Sequence, residues 1–162
     1  MALLLSRQNI PVLDRSTTAA ADGLERGAYV LWDSPASDGA AGAPQLILIA
    51  TGAEVAQALM AAEEIAGEGP RVRVVSMPCM ELFEAQSPEY REQVLPAASV
   101  ARLAIEPGSS MSWWRWVGSG GQVLGLDRFG ASAPGTTVLE KLGFTASHIA
   151  ERARALLARN DN

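Results

Sequence analysis

The chain has 162 residues, 48% of them hydrophobic and 19% charged, enough for one ordinary domain or for one domain with a piece of another. Its net charge of −5 argues against nucleic acid or an anionic membrane as a partner, and no apolar run approaches the ~18 residues that would cross a bilayer. The single cysteine, Cys79, excludes an intrachain disulfide; with one histidine in the whole chain, a site of soft metal ligands is not expected, and the expected setting is cytoplasmic.

Residues 2–5 read as a buried strand directly after a start methionine that lacks the basic region of a signal peptide. An apolar strand with nothing before it needs neighbours to pair with, so the chain is expected to be cut from something larger. Residues 12–26, rich in Asp, Ser, Thr and Ala, read as a linker with one short helical turn. Residues 27–33 (GAYVLWD) read as a strand, followed at 34–44 by SPASDGAAGAP, a small, Gly/Pro-rich surface loop. Passing from one strand to the next without a helix suits an antiparallel pair.

The centre of the chain is residues 46–77. Leu46-Ile47-Leu48-Ile49-Ala50 has the length and apolar continuity of a strand buried on both faces. Thr51 and Glu54 have the spacing of a capping box. Val55, Ala58, Leu59, Ala62 and Ala66 then recur at helical spacing, until Gly67, Gly69 and Pro70 stop the helix. Val72, Val74 and Val75 supply a second strand, so the unit is βαβ with parallel strands.

Residues 78–84 read as a turn with a helical stub. Ser87-Pro88-Glu89 opens another helix, with Ser as cap and Pro at its first position, ending near Pro96. Residues 100–105 and 122–126 are further strands. Residues 137–142 form a short helix stopped by Gly143. The last helix starts at Thr145 with Phe144 and Ile149 as a hydrophobic staple. Ile149, Ala153, Leu156 and Leu157 form its buried stripe, and Arg152, Arg154 and Arg159 complement the dipole at its end. Alternating strands and helices make an α/β domain with a mostly parallel sheet.

Five places could carry chemistry. Thr51-Gly52-Ala53-Glu54 offers free N–H groups at a strand end, but it lacks G-x-G-x-x-G and a Walker lysine, and Glu54 would repel phosphate. Arg7 closes an apolar strand where ligands of α/β sheets collect; it suits bidentate phosphate binding, or else it ties down a loop carboxylate. Cys79 lacks a Cys-x-x-Cys partner and reads as a buried, inert thiol, while His148 reads as solvent-facing. Trp113, Trp114 and Trp116 around Arg115 could stack bases or sugars, though a core edge or subunit contact is the simpler use. Asp127-Arg128 could bind a polar ligand, with local turn bonding as the plainer account. No set of residues here makes a self-sufficient active site.

Four segments together resemble the C-terminal region of transketolase, in that family's order and over nearly the whole chain. They are L-S-R-Q-N-I-P at 5–11, I-L-I-A-T-G-A-E-V at 47–55, V-V-S-M-P-C-M-E-L-F-E at 74–84, and Glu106-Pro107-Gly108 through D-R-F-G-A-S-A-P at 127–134. The alternative is a binding, regulatory or assembly module of a related thiamine diphosphate enzyme such as deoxyxylulose-phosphate synthase; the S-R-Q-N and D-R-F-G-A-S-A-P strings argue against that synthase itself.

The resemblance implies a three-layer α/β fold around a five-stranded mixed sheet, four strands parallel and one antiparallel, with helices on both faces. It implies that residues 1–26 end the middle, pyrimidine-binding domain and its linker, and that 27–162 are the C-terminal domain. Arg7 would reach the phosphate of a sugar phosphate. The parent would be a homodimer transferring ketol units with thiamine diphosphate and magnesium or calcium. Ala21-Asp22-Gly23 and Ser37-Asp38-Gly39 do not match the family's diphosphate and metal signature. The fragment is therefore expected to hold no cofactor, metal or catalytic residue, and to be inactive alone. Two departures stand out: 34–44 is longer than the family's usual connection, and Trp114 and Trp116 replace a charged and an aromatic residue.

Overall fold

The computed structural model describes residues 8–35 and 42–160. The expected strand at 2–5 and most of the loop at 34–44 lie outside these residues. A 3-10 helix at Ala21–Arg26 supplies the helical turn expected in the linker. It leads through Gly27 into β1 (Tyr29–Asp33), followed by β2 (Leu46–Ala50), α1 (Glu54–Ala66) and β3 (Val72–Ser76). Next come α2 (Met80–Glu84), α3 (Pro88–Val94), β4 (Ala101–Ile105), α4 (Trp114–Val117), β5 (Gln122–Leu124), α5 (Gly135–Lys141) and α6 (Ala146–Asn160). The short helix α4 is absent from the sequence reading, because four residues are too few to display a helical period.

The strands form one five-stranded sheet in the order β1-β3-β2-β4-β5, with β2, β3, β4 and β5 parallel and β1 antiparallel. The antiparallel sense of β1 agrees with the sequence, but its neighbour is β3 rather than β2. The physical reason is visible in the register. β2 is flanked by β3 on one side and β4 on the other, with Leu48 opposite both Val74 and Leu103, so β2 has no edge left for β1, which pairs with β3 instead. All five residues of β2 are fully buried, as a central parallel strand requires.

Alternation along the strands divides the core. Leu46, Leu48, Val74, Leu103 and Ile105 point to the face covered by α1 and α6, where Ala58, Ala61, Ala62, Ala150 and Ala153 let the helices come close. Ile47, Ile49, Val75 and Ala104 point to the other face, against Phe83, Val94, Trp113 and Trp116 from α2, α3 and α4. These two covered faces make the three layers. Among the described residues, no helix is long and apolar enough to cross a membrane.

Several local expectations meet the structure. Ser87 caps α3 by accepting from the Tyr90 N–H at 3.3 Å, with Pro88 at the first helical position. Thr145 stands before α6 and accepts from the His148 N–H at 3.3 Å, while Phe144 and Ile149 share one core cluster. The Thr51–Glu54 capping box does not form. Gly52, at φ +60, inserts a turn after β2, and α1 begins at Glu54 with Ala53 as an N-cap that makes no side-chain bond. Thr51 is thereby two residues too early to cap.

The arginines of α6 do more than face the helix dipole. Arg154 bridges Glu64 and Glu68 of the α1 end, Arg152 donates to Gln122 at 3.0 Å, and Arg159 donates to the Gly120 carbonyl at 2.8 Å.

Candidate functional site

In this strand order the chain leaves β2 towards β3 on one side and returns to β4 on the other. The crevice beyond the carboxyl ends of β2 and β4 is thus the switch point where open α/β sheets collect ligands. Two carboxyl groups flank it here. Glu54 opens α1 after β2 and is buried, and Glu106 follows β4 and is partly buried.

Burial raises the pKa of Glu54, although the carboxylate also accepts from its own N–H. Burial and then the charge of Glu54 push Glu106 up to about 7. Near neutral pH Glu106 is therefore protonated part of the time, and the crevice carries less than two full charges. Such a crevice repels a phosphate and offers a protonated carboxyl as a donor. The free N–H groups at Thr51 to Glu54 are consequently no phosphate cradle, in keeping with the repulsion read from Glu54.

The loops after β4 and β5 are tied together beside this crevice. Leu126 N–H donates to the Gly108 carbonyl at 2.7 Å. Asp127 accepts from the Ser110 N–H at 2.9 Å and from the Ser110 hydroxyl at 2.6 Å, and the Ser110 hydrogen bonds hold its carboxyl below the usual carboxylate range. The expected turn bonding at Asp127 is present, but it reaches seventeen residues back instead of staying local.

At the end of β3, Gly27 accepts from the Cys79 N–H at 3.0 Å. Gly27 has φ +83, and a Cβ there would lie 2.3 Å from the Cys79 carbonyl oxygen, so no other residue fits this junction.

The remaining sequence candidates separate. Arg7 lies outside the described residues. Cys79 is half-buried rather than buried, and its thiol donates to Glu81 at 3.5 Å. His148 pairs with Glu151 at 3.2 Å with its side chain 41% exposed, so histidine and cysteine form no catalytic couple. The tryptophans split: Trp113 and Trp116 are core, as the core-edge reading expects, whereas Trp114 is exposed.

Two strand arginines went unremarked in the sequence. Arg73 of β3 binds both oxygens of Asp33, at 2.7 and 2.9 Å, and the carbonyl oxygens of Gln93 and Val94. Arg102 of β4 donates to the carbonyl oxygens of Ser99, Trp116, Leu95 and Pro96 at 2.8–3.1 Å. Together they satisfy carbonyl groups that the end of α3 leaves open. An arginine inside an otherwise apolar strand (V-R-V-V, A-R-L-A-I) was the signal that could have found them.

Among the described residues, no group of three His, Cys, Asp or Glu side chains could hold a metal ion. Metal-assisted diphosphate binding needs several oxygen ligands, so the described residues do not fit a thiamine diphosphate–metal site.

A model of the transketolase-like TK C-terminal domain matches residues 27–145. The chain is 51% identical to a transketolase of Halalkalibacterium halodurans over 96% of its own length and 22% of that protein's. It is 48% identical to one of Geobacillus stearothermophilus over 98% of its length and 23% of that protein's. Among solved structures, a transketolase of Pichia stipitis superposes with TM-score 0.80 at 32% identity, covering 96% of this chain and 21% of the other. One of Leishmania mexicana gives 0.75 at 37%, covering 88% and 19%. The chain thus spans about a fifth of the length of the transketolases it matches.

Proposed function

The chain belongs to the transketolase C-terminal domain family, and from that premise we propose that it serves as the last domain of a ketol-transferring enzyme. The observation that carries this reading is the pairing of near-complete coverage of the chain with about a fifth of each relative's length. Residues 1–26 close the middle domain and its linker, and residues 27–162 are the C-terminal domain; the start of the family match at residue 27 supports that boundary.

In the parent, thiamine diphosphate with a divalent metal supplies the carbanion chemistry that moves a two-carbon unit between sugar phosphates. That apparatus lies outside this chain. The chain contributes a stable body for the remaining domains and for a homodimer, in a cytoplasmic enzyme, and by itself transfers no ketol unit. Arg7 binds the phosphate of the sugar substrate through a charge-assisted, bidentate contact.

The test is to supply the missing domains in trans and measure transfer between a ketose phosphate and an aldose phosphate. Activity only when both parts are present supports the proposal; a parent that ignores ketose phosphates contradicts it. For the arginine, Arg7→Ala in the parent lowers kcat/KM for phosphorylated donors by a factor equivalent to about 1.5–3 kcal/mol and leaves unphosphorylated ketols nearly unchanged. Equal losses for both would mean that Arg7 only braces the fold.

A further inference from the structure

On the face covered by the short helices, away from the strand-end crevice, Phe83, Pro88, Arg91, Leu95, Arg115 and Trp116 line a cavity of about 290 Å³. That is near the lower limit for small-molecule sites. Arg102 and Glu92 complete the lining, so three arginines face one glutamate.

Most of the polar groups there are already committed. Arg102 is spent on four carbonyl oxygens. Arg115 forms a two-pronged pair with Glu84 at 2.7 and 2.8 Å. Glu92 accepts from the Ala97 N–H at 2.9 Å.

Two donors are left over. The Trp116 indole N–H and the Arg91 Nε–H are both buried and have no acceptor among the described residues. Trp116 is only 7% exposed. A buried donor without an acceptor is costly, and native structures rarely tolerate two on one wall. Both belong to residues lining the same space, beside an excess of positive charge. The remaining wall is apolar and aromatic: Phe83 lies 5.2 Å from the Trp116 ring, which carries the Arg115 guanidinium at 4.9 Å on its face.

The structure assigns this cavity as a binding site for a small oxyanion, a phosphate monoester or a carboxylate, held by Arg91 and the Trp116 indole N–H, with its carbon body against Pro88 and Leu95. Arginine matches the planar oxygen geometry of both groups. The assignment stands on the cavity alone and does not depend on the proposed role of the chain in a larger enzyme.

The test is a titration of the ¹⁵N-labelled 162-residue chain with inorganic phosphate, ribose 5-phosphate and succinate, following the indole N–H resonances. The sequence has four tryptophans, and the Trp116 signal is identified by its loss in Trp116→Phe. The expected result is a saturable shift of that resonance with at least one probe, with a midpoint below about 1 mM. Response to the phosphates or to succinate then distinguishes the two sources of the oxyanion. Arg91→Gln raises the midpoint about tenfold or more.

Trp116→Phe keeps the ring packing and weakens binding a few-fold by calorimetry, a second arm that does not depend on the folding of the arginine variant. A Trp116 resonance that stays still, or drifts without saturating, to about 20 mM of all three probes overturns the assignment. So does a shift that is undiminished in folded Arg91→Gln.

Discussion

The two faces of the sheet are packed by different means. Under α1 and α6, alanines bring long helices down onto Leu46, Leu48, Val74 and Leu103, and the polar groups lie at the rim, where Arg154 joins Glu64 and Glu68. Under α2, α3 and α4, short helices leave room that Phe83, Trp113 and Trp116 fill, and arginines from the strands reach out to bind the helix ends. The first face is built from close approach. The second is built from large rings and charged clamps, and it is the one that holds the two donors without an acceptor among the described residues.

The largest test of this contrast is Phe83→Ala. Phe83 is fully buried and touches both Tyr90 and Trp116, so its loss should cost about 3–5 kcal/mol in denaturant unfolding. A cost under about 1 kcal/mol would mean that the second face is loosely packed. Next is Arg102→Met, which keeps much of the stem but orphans carbonyl groups at the end of α3, for a loss of about 2–4 kcal/mol. A neutral result would break the view of the arginine as a clamp.

A pair of enlargements separates the faces directly. Ala62→Leu, at a fully buried site under α6, should cost about 1–3 kcal/mol, whereas Leu95→Phe beside the cavity should change stability by less than about 1 kcal/mol. Equal penalties would erase the distinction.

The smallest effect concerns the strand-end crevice. The folded pKa of Glu106, about 7, lies above its ordinary value of 4.5, so the folded state binds more protons between those values. Its contribution to stability is full below about pH 4.5 and is lost as pH rises through 7. Glu106→Gln should remove that decline and stabilise the chain above pH 7 by no more than about 2 kcal/mol, since the side chain is partly solvated. Thermal melts from pH 4 to 9 would read it; parallel curves for the two proteins would refute the raised pKa of Glu106.

The same contrast governs what the sequence disclosed. The first face is written in periodicity: an apolar strand, a helix with Ala58 and Ala62 on one side, and a last helix with Ile149, Ala153 and Leu156. These were readable because long regular elements repeat their pattern. The second face repeats nothing. Trp114–Val117 is too short for a period, and Arg73 and Arg102 look like polar interruptions until the carbonyl groups they bind are known.

The Glu54–Glu106 crevice was half visible. Glu54 was read as part of a cap, and its meeting with Glu106 depends on strand order, which local patterns do not encode. The partner of β1 was missed for the same reason. Position marks Arg7 as a candidate and the family likeness gives it a role, and it lies outside the described residues.

The most direct test of the account is calorimetric titration of the purified 162-residue chain with thiamine diphosphate in the presence of magnesium. The account predicts no saturable heat, because no group of three His, Cys, Asp or Glu side chains among the described residues could hold the metal. One-to-one binding with a sharp midpoint would contradict it.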